Sequence, residues 1–164
     1  MNIKNLFVMR HAQALNIQNN DWDRELSEKG ILQALHSAEF LKTHYKIDKI
    51  LCSLALRTQQ TLSIMQESLN VSSVDNKLEF YTASEKDWLV DIMQQEDGIN
   101  NLLIIGHNPS LSHLIKLLSE NSHSQNEFSG ILAPAEIAII QFESKSWKDL
   151  MITKKTLTKI FQPN

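Results

Sequence analysis

Four cationic or titratable side chains, Arg10, His11, Arg57 and His107, each stand at or just beyond the end of an apolar run. Leu6-Phe7-Val8-Met9 stops on Arg10-His11, Ile50-Leu51-Cys52-Ser53 precedes Arg57, and Leu102-Leu103-Ile104-Ile105-Gly106 precedes His107. Two guanidiniums and two imidazoles gathered in one place suit phosphoryl chemistry. A guanidinium is a planar fork matched to phosphate oxygens, and a pair of them offsets charge that develops on a transferring phosphoryl group. A neutral imidazole has a lone pair near pH 7 that can attack phosphorus and form a covalent phosphohistidine. Of the two histidines, His11 is the better nucleophile because a strand terminus holds it. His107 is then left to donate a hydrogen bond to the phosphoryl group.

For the four to meet, the runs that carry them must be strands ending on one edge. Short apolar runs without alternation read as buried parallel strands, and open α/β sheets bind ligands at the carboxyl ends of their strands. The segments between them read as helices. Ser27 caps a helix in which Ile31, Ala34, Leu35, Ala38 and Leu41 share a face, and Leu54, Leu62, Met65 and Leu69 stripe the next. Ser84 and Asp87 resemble a capping box ahead of Trp88, Leu89, Ile92 and Met93. Asn108 is read as an N-cap with Pro109 at the first helical position, which brings free backbone N–H groups beside His107.

The remaining stretches are loops and edges. Ala12 to Arg24 reads as a loop over the site, Leu78 to Tyr81 as a short strand, and Asn121 to Ser129 as a polar loop. Glu136 to Phe142 and Leu150 to Thr153 read as edge strands joined through Ser144 to Lys148. The expected fold is a three-layer α/β/α sandwich with a mainly parallel central sheet, the first strand central and an antiparallel strand from the carboxyl-terminal hairpin. One domain, 1–164, accounts for the chain, with no linker or repeat.

Composition excludes several functions. The 164 residues are 42% apolar and carry a formal net charge of −3, so neither nucleic acid nor an anionic membrane is an expected partner. The single cysteine, Cys52, allows no intrachain disulfide and reads as a strand filler that should stay out of the site. The amino-terminal apolar stretch is cut short by Arg10, unlike a signal peptide, and no run is long enough for a membrane span, so a cytoplasmic protein is expected. His36, His44, His113 and His123 lack partnering carboxylates and the ligand set of a zinc site, so no metal or other cofactor is expected. Trp22, Trp88 and Trp147 are too scattered for a nucleic-acid stacking platform.

Three motifs in this order carry a family resemblance: Met9-Arg10-His11-Ala12, Ser53-Leu54-Ala55-Leu56-Arg57-Thr58 with Gln60-Thr61, and Gly106-His107-Asn108-Pro109. With Arg24-Glu25-Leu26-Ser27-Glu28-Lys29-Gly30 they resemble the histidine phosphatase superfamily, of phosphoglycerate-mutase-like fold, and within it the small SixA-like phosphohistidine phosphatases. The resemblance implies His11 as the phosphorylated nucleophile, Arg10 and Arg57 as phosphate clamps, and His107 completing the pocket. Ala12 stands where many members have glycine. Mutases and phosphomonoesterases of this kind protonate the leaving group with a carboxylate after the third strand, where this chain offers Glu85 and Asp87, both of which also suit the first turn of a helix.

Substrate class turns on that acid. An alkoxide needs a proton in the transition state, whereas a phosphorylated imidazole protonated on its other nitrogen leaves as neutral imidazole. The chain also has no insertion between Arg57 and His107 large enough for a lid, so an open site on a phosphohistidine-bearing protein, such as a histidine-containing phosphotransfer domain, is the favoured substrate. The alternatives are a phosphomonoesterase or mutase acting on a small phosphorylated substrate, and a non-catalytic phosphate-binding module.

Overall fold

The computed structural model describes residues 2–16, 20–120 and 128–164. Six strands form one sheet: β1 (Asn2–Arg10), β2 (Lys49–Ser53), β3 (Val74–Lys77), β4 (Asn101–Gly106), β5 (Ile137–Ser144) and β6 (Lys155–Phe161). Four helices accompany them: α1 (Glu28–His44), α2 (Leu56–Leu69), α3 (Glu85–Met93) and α4 (Ser110–Ser119). The strand order is β3-β2-β4-β1-β5-β6, so β1 is interior. β1, β2, β3 and β4 pair in parallel, while β5 runs antiparallel to both β1 and β6.

Alternating residues of the central strands feed two cores, which makes the fold the expected three-layer α/β/α sandwich. Leu6, Val8, Leu102 and Ile104 pack with Trp88, Leu111, Leu114 and Trp147 on the α3–α4 side. Phe7, Met9, Leu103 and Ile105 pack with Ala34, Ala38, Leu41, Leu62 and Met65 on the α1–α2 side. Burial on both faces is why β1 and β4 read as unbroken apolar runs. Register then sets the site: Arg10 pairs with Gly106 and Cys52 with Ile105, so β1, β2 and β4 end level with one another at Arg10, Ser53 and Gly106.

Several local expectations are corrected. Leu78 to Tyr81 is a 3-10 turn, and the third strand is the polar segment before it; β3 is an edge strand with one neighbour and needs little apolar side chain, whereas Phe80 turns in to stack on Trp88 at 4.0 Å. Leu150 to Thr153 lies in turns, and β6 begins at Lys155, whose ammonium draws the Leu150 and Thr153 carbonyls around it. In α1, Ile31 and Leu35 face solvent while Gly30, Ala34, Ser37 and Ala38 are buried, because small residues let the helix lie close to its neighbours. Leu54 precedes α2 and is exposed. Asn108 does not cap α4, which starts at Ser110; its side chain instead donates to the Leu132 carbonyl and accepts from Ser112 Oγ, across a cis Asn108-Pro109 bond. The loop assigned to 121–129 falls, for 121–127 and with it His123, outside the described residues, as does 17–19 of the loop over the site. Among the described residues, no helix is long and apolar enough to cross a membrane.

Gly30 is where α1 meets the chain leaving β1. A Cβ there would lie 2.0 Å from the carbonyl oxygen of Gln13, a backbone atom that cannot swing away. Gly30→Ala is therefore expected to destabilise the protein by about 2 kcal/mol, read as a lower urea midpoint at unchanged slope; an unchanged midpoint would contradict this packing.

Candidate active site

β1 delivers His11 with its ring already oriented. The His11 N–H extends the β1–β4 ladder by donating to the Gly106 carbonyl (3.1 Å), and the side-chain Nδ1 lies 2.8 Å from the Ala12 carbonyl. A carbonyl only accepts, so Nδ1 carries the proton. On the other side of the ring, Arg57 Nε lies 3.3 Å from Nε2. A guanidinium only donates, so Nε2 accepts, with its lone pair facing Arg57. The two contacts agree on one tautomer.

Arg57 reaches this point because β2 ends at Ser53 and α2 starts at Leu56, placing Arg57 in the first turn as expected. Thr61 ties that turn to β1: its Oγ1 accepts from the Ala12 N–H (3.1 Å) and bonds the Arg57 carbonyl (2.8 Å). Arg57 Nη1 and Nη2 donate to the backbone carbonyl and the carboxylate of Asp21, at 2.7 and 3.0 Å. Asp21 is held twice more, by the Tyr81 hydroxyl (2.6 Å) and by Arg24 Nη1 (3.1 Å). The Tyr81 hydrogen bond first, then Arg24 and Arg57, holds its carboxyl well below the usual range.

His107 follows β4 and closes the cluster. Its ring centroid is 5.4 Å from that of His11, and Tyr81 meets it edge-on at 5.4 Å. Nε2 lies 2.8 Å from Ser53 Oγ, and Nδ1 is buried without a hydrogen-bond partner. In the tautomer where the Ser53 hydroxyl donates to Nε2, Nδ1 carries the proton and is a donor suited to an anion. Beside it, Gly106 is crowded by the Trp88 indole, which a Cβ would approach to 2.7 Å. Arg10 donates through Nη1 to the Leu132 carbonyl (3.2 Å), and its Nε is likewise buried without a partner.

Burial dominates the electrostatics. It pushes His11 down to about 3, with His107, Arg57 and Arg10 adding to the shift, and pushes His107 down to about 4, with Arg57 adding to it. Both rings are neutral at pH 7. Burial, then Arg24 and Arg57, also lowers Arg10, so the guanidiniums crowd one another in a pocket whose missing complement is negative charge.

The structure thus brings Arg10, His11, Arg57 and His107 together at the strand ends. Cys52 stays out, its thiol turned to the Ser53 and Thr58 carbonyls and its pKa raised by burial. Asp87 completes the capping box with Ser84. Glu85 pairs with His113 at 3.8 Å, and both line a cleft of about 300 Å³ beside His107. Asp21, Ser53 and Tyr81 are contacts that motif reasoning missed as site residues: Asp21 sits in a polar loop without periodicity, and Tyr81 in a segment read as strand. Among the described residues, no group of three or more His, Cys, Asp or Glu could hold a metal ion.

Comparison with known proteins bears on this cluster. Residues 6–79 match the family model of the histidine phosphatase superfamily (branch 1), a stretch that includes Arg10, His11 and Arg57. The phosphohistidine phosphatase SixA of Escherichia coli is 30% identical over 67% of this chain and 71% of its own length. A SixA homologue of Haemophilus influenzae is 26% identical over 90% of this chain and 93% of its own. Among solved structures, a putative SixA from Nakamurella superposes with a TM-score of 0.87 at 24% identity, covering 99% of this chain and 98% of that one, a likeness of fold.

The neutral imidazoles tie stability to pH. An unfolded histidine titrates near 6.5, above the folded values of about 3 and about 4. Between these limits the unfolded chain binds more protons, so stability rises with pH, by at most about 1.4 kcal/mol per pH unit for each ring. Urea midpoints are expected to fall from pH 7 to pH 5, and a His11→Asn, His107→Asn double variant to fall less steeply; equal slopes would contradict the buried neutral rings.

Proposed function

The chain belongs to the histidine phosphatase superfamily, and we propose that it is a SixA-like phosphatase that hydrolyses phosphohistidine on a partner protein through a covalent intermediate on His11. The observation that carries this reading is the orientation of the His11 ring. Ala12 holds the proton on Nδ1, and Nε2 presents its lone pair to the guanidinium of Arg57.

In the first step His11 Nε2 attacks phosphorus, and the bond from phosphorus to the leaving nitrogen breaks with its electron pair on that nitrogen. A substrate imidazole protonated at its other nitrogen departs neutral and needs no acid at the bridging atom. Arg57 releases Nε2 as phosphorus approaches and turns, with Arg10, to the equatorial oxygens, whose charge the two guanidiniums offset, and His107 completes the pocket, donating through Nδ1 in its Nδ1–H tautomer. In the second step water attacks phosphorus, the bond to Nε2 breaks, and inorganic phosphate leaves. His11 recovers its lone pair, and Nδ1 keeps its proton throughout. The clamp charge comes from two arginines, so the reaction runs without a metal ion.

The substrate follows from three supports. The relatives of E. coli and H. influenzae carry SixA names. Asp87 is engaged in helix capping and Glu85 stands 3.8 Å from His113, so both carboxylates after the third strand are engaged elsewhere than at an alkoxide leaving group. The segment between Arg57 and His107 is used by α2, β3, a 3-10 turn, α3 and β4, with no insertion left over to build a lid around a small metabolite. A phosphohistidine-bearing domain meets these conditions better than a small phosphorylated substrate. We place the protein in the cytoplasm, acting as one domain over 1–164, with neither nucleic acid nor membrane as partner.

Turnover on a phosphohistidine protein tests this. His11→Ala is expected to abolish it with the urea midpoint retained, and Arg57→Ala or His107→Ala to lower kcat by about 10²–10³-fold. EDTA should leave the wild-type rate unchanged. Residual turnover in His11→Ala, or loss on chelation, would overturn the mechanism.

A further inference from the structure

The two clamp arginines are held by different means. Arg57 is fixed by Asp21 on Nη1 and Nη2 and faces His11 through Nε. Among the described residues, the guanidinium of Arg10 makes one hydrogen bond, from Nη1 to the Leu132 carbonyl at 3.2 Å. The direction of Arg10 therefore depends on where that carbonyl points. Leu132 lies between α4 and β5 in a stretch that belongs to neither helix nor strand. Its side chain is buried in the core with Leu111 and Leu114, which fixes the residue but leaves the tilt of its peptide plane to be set by hydrogen bonds.

A closed ring of three hydrogen bonds sets that tilt. Asn108 Nδ2 donates to the Leu132 carbonyl (2.7 Å), Ser112 Oγ donates to Asn108 Oδ1 (2.7 Å), and the Leu132 N–H donates to Ser112 Oγ (2.9 Å). The ring runs in one direction only. A carbonyl accepts and a backbone N–H donates, so a flipped Asn108 amide would set oxygen against oxygen at Leu132. The Ala133 N–H, in the same peptide plane as the Leu132 carbonyl, is held by Glu136 Oε2 (2.5 Å). Asn108 thus acts on the end of the plane that Arg10 uses, and refers it to the start of α4.

The two lone pairs of the Leu132 carbonyl are then occupied, one by Asn108 and one by Arg10. With Nη1 engaged there, the guanidinium edge that carries Nε and Nη2 is left for an anion. Nε is buried without a hydrogen-bond partner, a donor that a phosphoryl oxygen would satisfy. Two N–H groups side by side are the form in which a guanidinium grips phosphate bidentately. We propose that Asn108 is a positioning residue, which through the Leu132 carbonyl holds Arg10 with its Nε–Nη2 edge toward the bound phosphoryl group. This rests on the phosphoryl site proposed above, and it couples the residue directly after His107 to the clamp on the neighbouring strand.

Phosphate binding tests it without any turnover. Protein labelled with ¹⁵N at arginine is titrated with inorganic phosphate and followed by NMR, which reads weak and tight binding alike. The Arg10 Nε–H signal of the wild type is expected to move as phosphate binds. Asn108→Ala should weaken binding about tenfold and shrink that movement at saturation. Ser112→Ala opens the same ring from the other side and should act likewise by less, which keeps the test decisive should Asn108→Ala fold poorly. A role through Arg10 has a further signature. In an Arg10→Ala background Asn108→Ala should change Kd by less than about twofold, whereas in an Arg57→Ala background the full factor should remain. Unchanged phosphate binding in both ring variants would overturn the proposal. So would a loss that persists in the Arg10→Ala background, which would make the effect one of general packing or of His107. Wild type that binds no phosphate would sink the phosphoryl site itself, and this proposal with it.

Discussion

The hydrogen bond from His11 Nδ1 to the Ala12 carbonyl decides what the rest of the site can do. It is local, between adjacent residues, yet it depends on β1 ending where it does and on Ala12 being held by Thr61. With the proton fixed on Nδ1, the ring's in-plane lone pair, on Nε2, faces the Arg57 guanidinium. Rotating or re-tautomerising the ring would exchange a buried, satisfied N–H for one aimed at Arg57, which has nothing to accept it. The nucleophile is therefore set by geometry before any substrate arrives. Level strand ends do the rest, bringing Arg10, Ser53 and His107 around it.

Charge within this frame is uneven. The chain has a formal net charge of −3, yet Arg10, Arg24 and Arg57 converge where two histidines are buried neutral. Burying imidazoles beside guanidiniums costs stability below neutral pH, and Asp21 returns part of it by pairing with two of the three arginines. The same pairing fixes Arg57 so that Nε faces His11. A phosphoryl dianion complements this pocket: Arg10 Nε is a buried donor without a hydrogen-bond partner, and His107 Nδ1, likewise buried and unpartnered, is a second in the tautomer that carries its proton there.

The central strands and the four clustered residues were legible because they follow the strongest rules: parallel strands buried on both faces are continuous apolar runs, and a polar residue at their carboxyl end has one place to go. What failed was at the edges. Val74–Lys77 is a strand with almost no apolar side chain because β3 has a single neighbour, and Phe80 belongs to the core although its segment is a turn. Asp21 was illegible for another reason. It lies in a loop without periodicity, and its importance comes from Arg57, Arg24 and Tyr81 meeting there, a contact between segments up to sixty residues apart. Asn108 looked like a cap by type, but tertiary contacts with Leu132 and Ser112 claimed its amide.

The central claim is that Nε2 of His11 bonds phosphorus while Nδ1 keeps its proton. Protein labelled with ¹⁵N at histidine, loaded with phosphoramidate and examined at alkaline pH by ³¹P–¹⁵N correlation, reads this directly. The account predicts one phosphorus coupled to His11 Nε2, with His11 Nδ1 still protonated and His107 unmodified. Phosphorus on His11 Nδ1 or on His107 would contradict it.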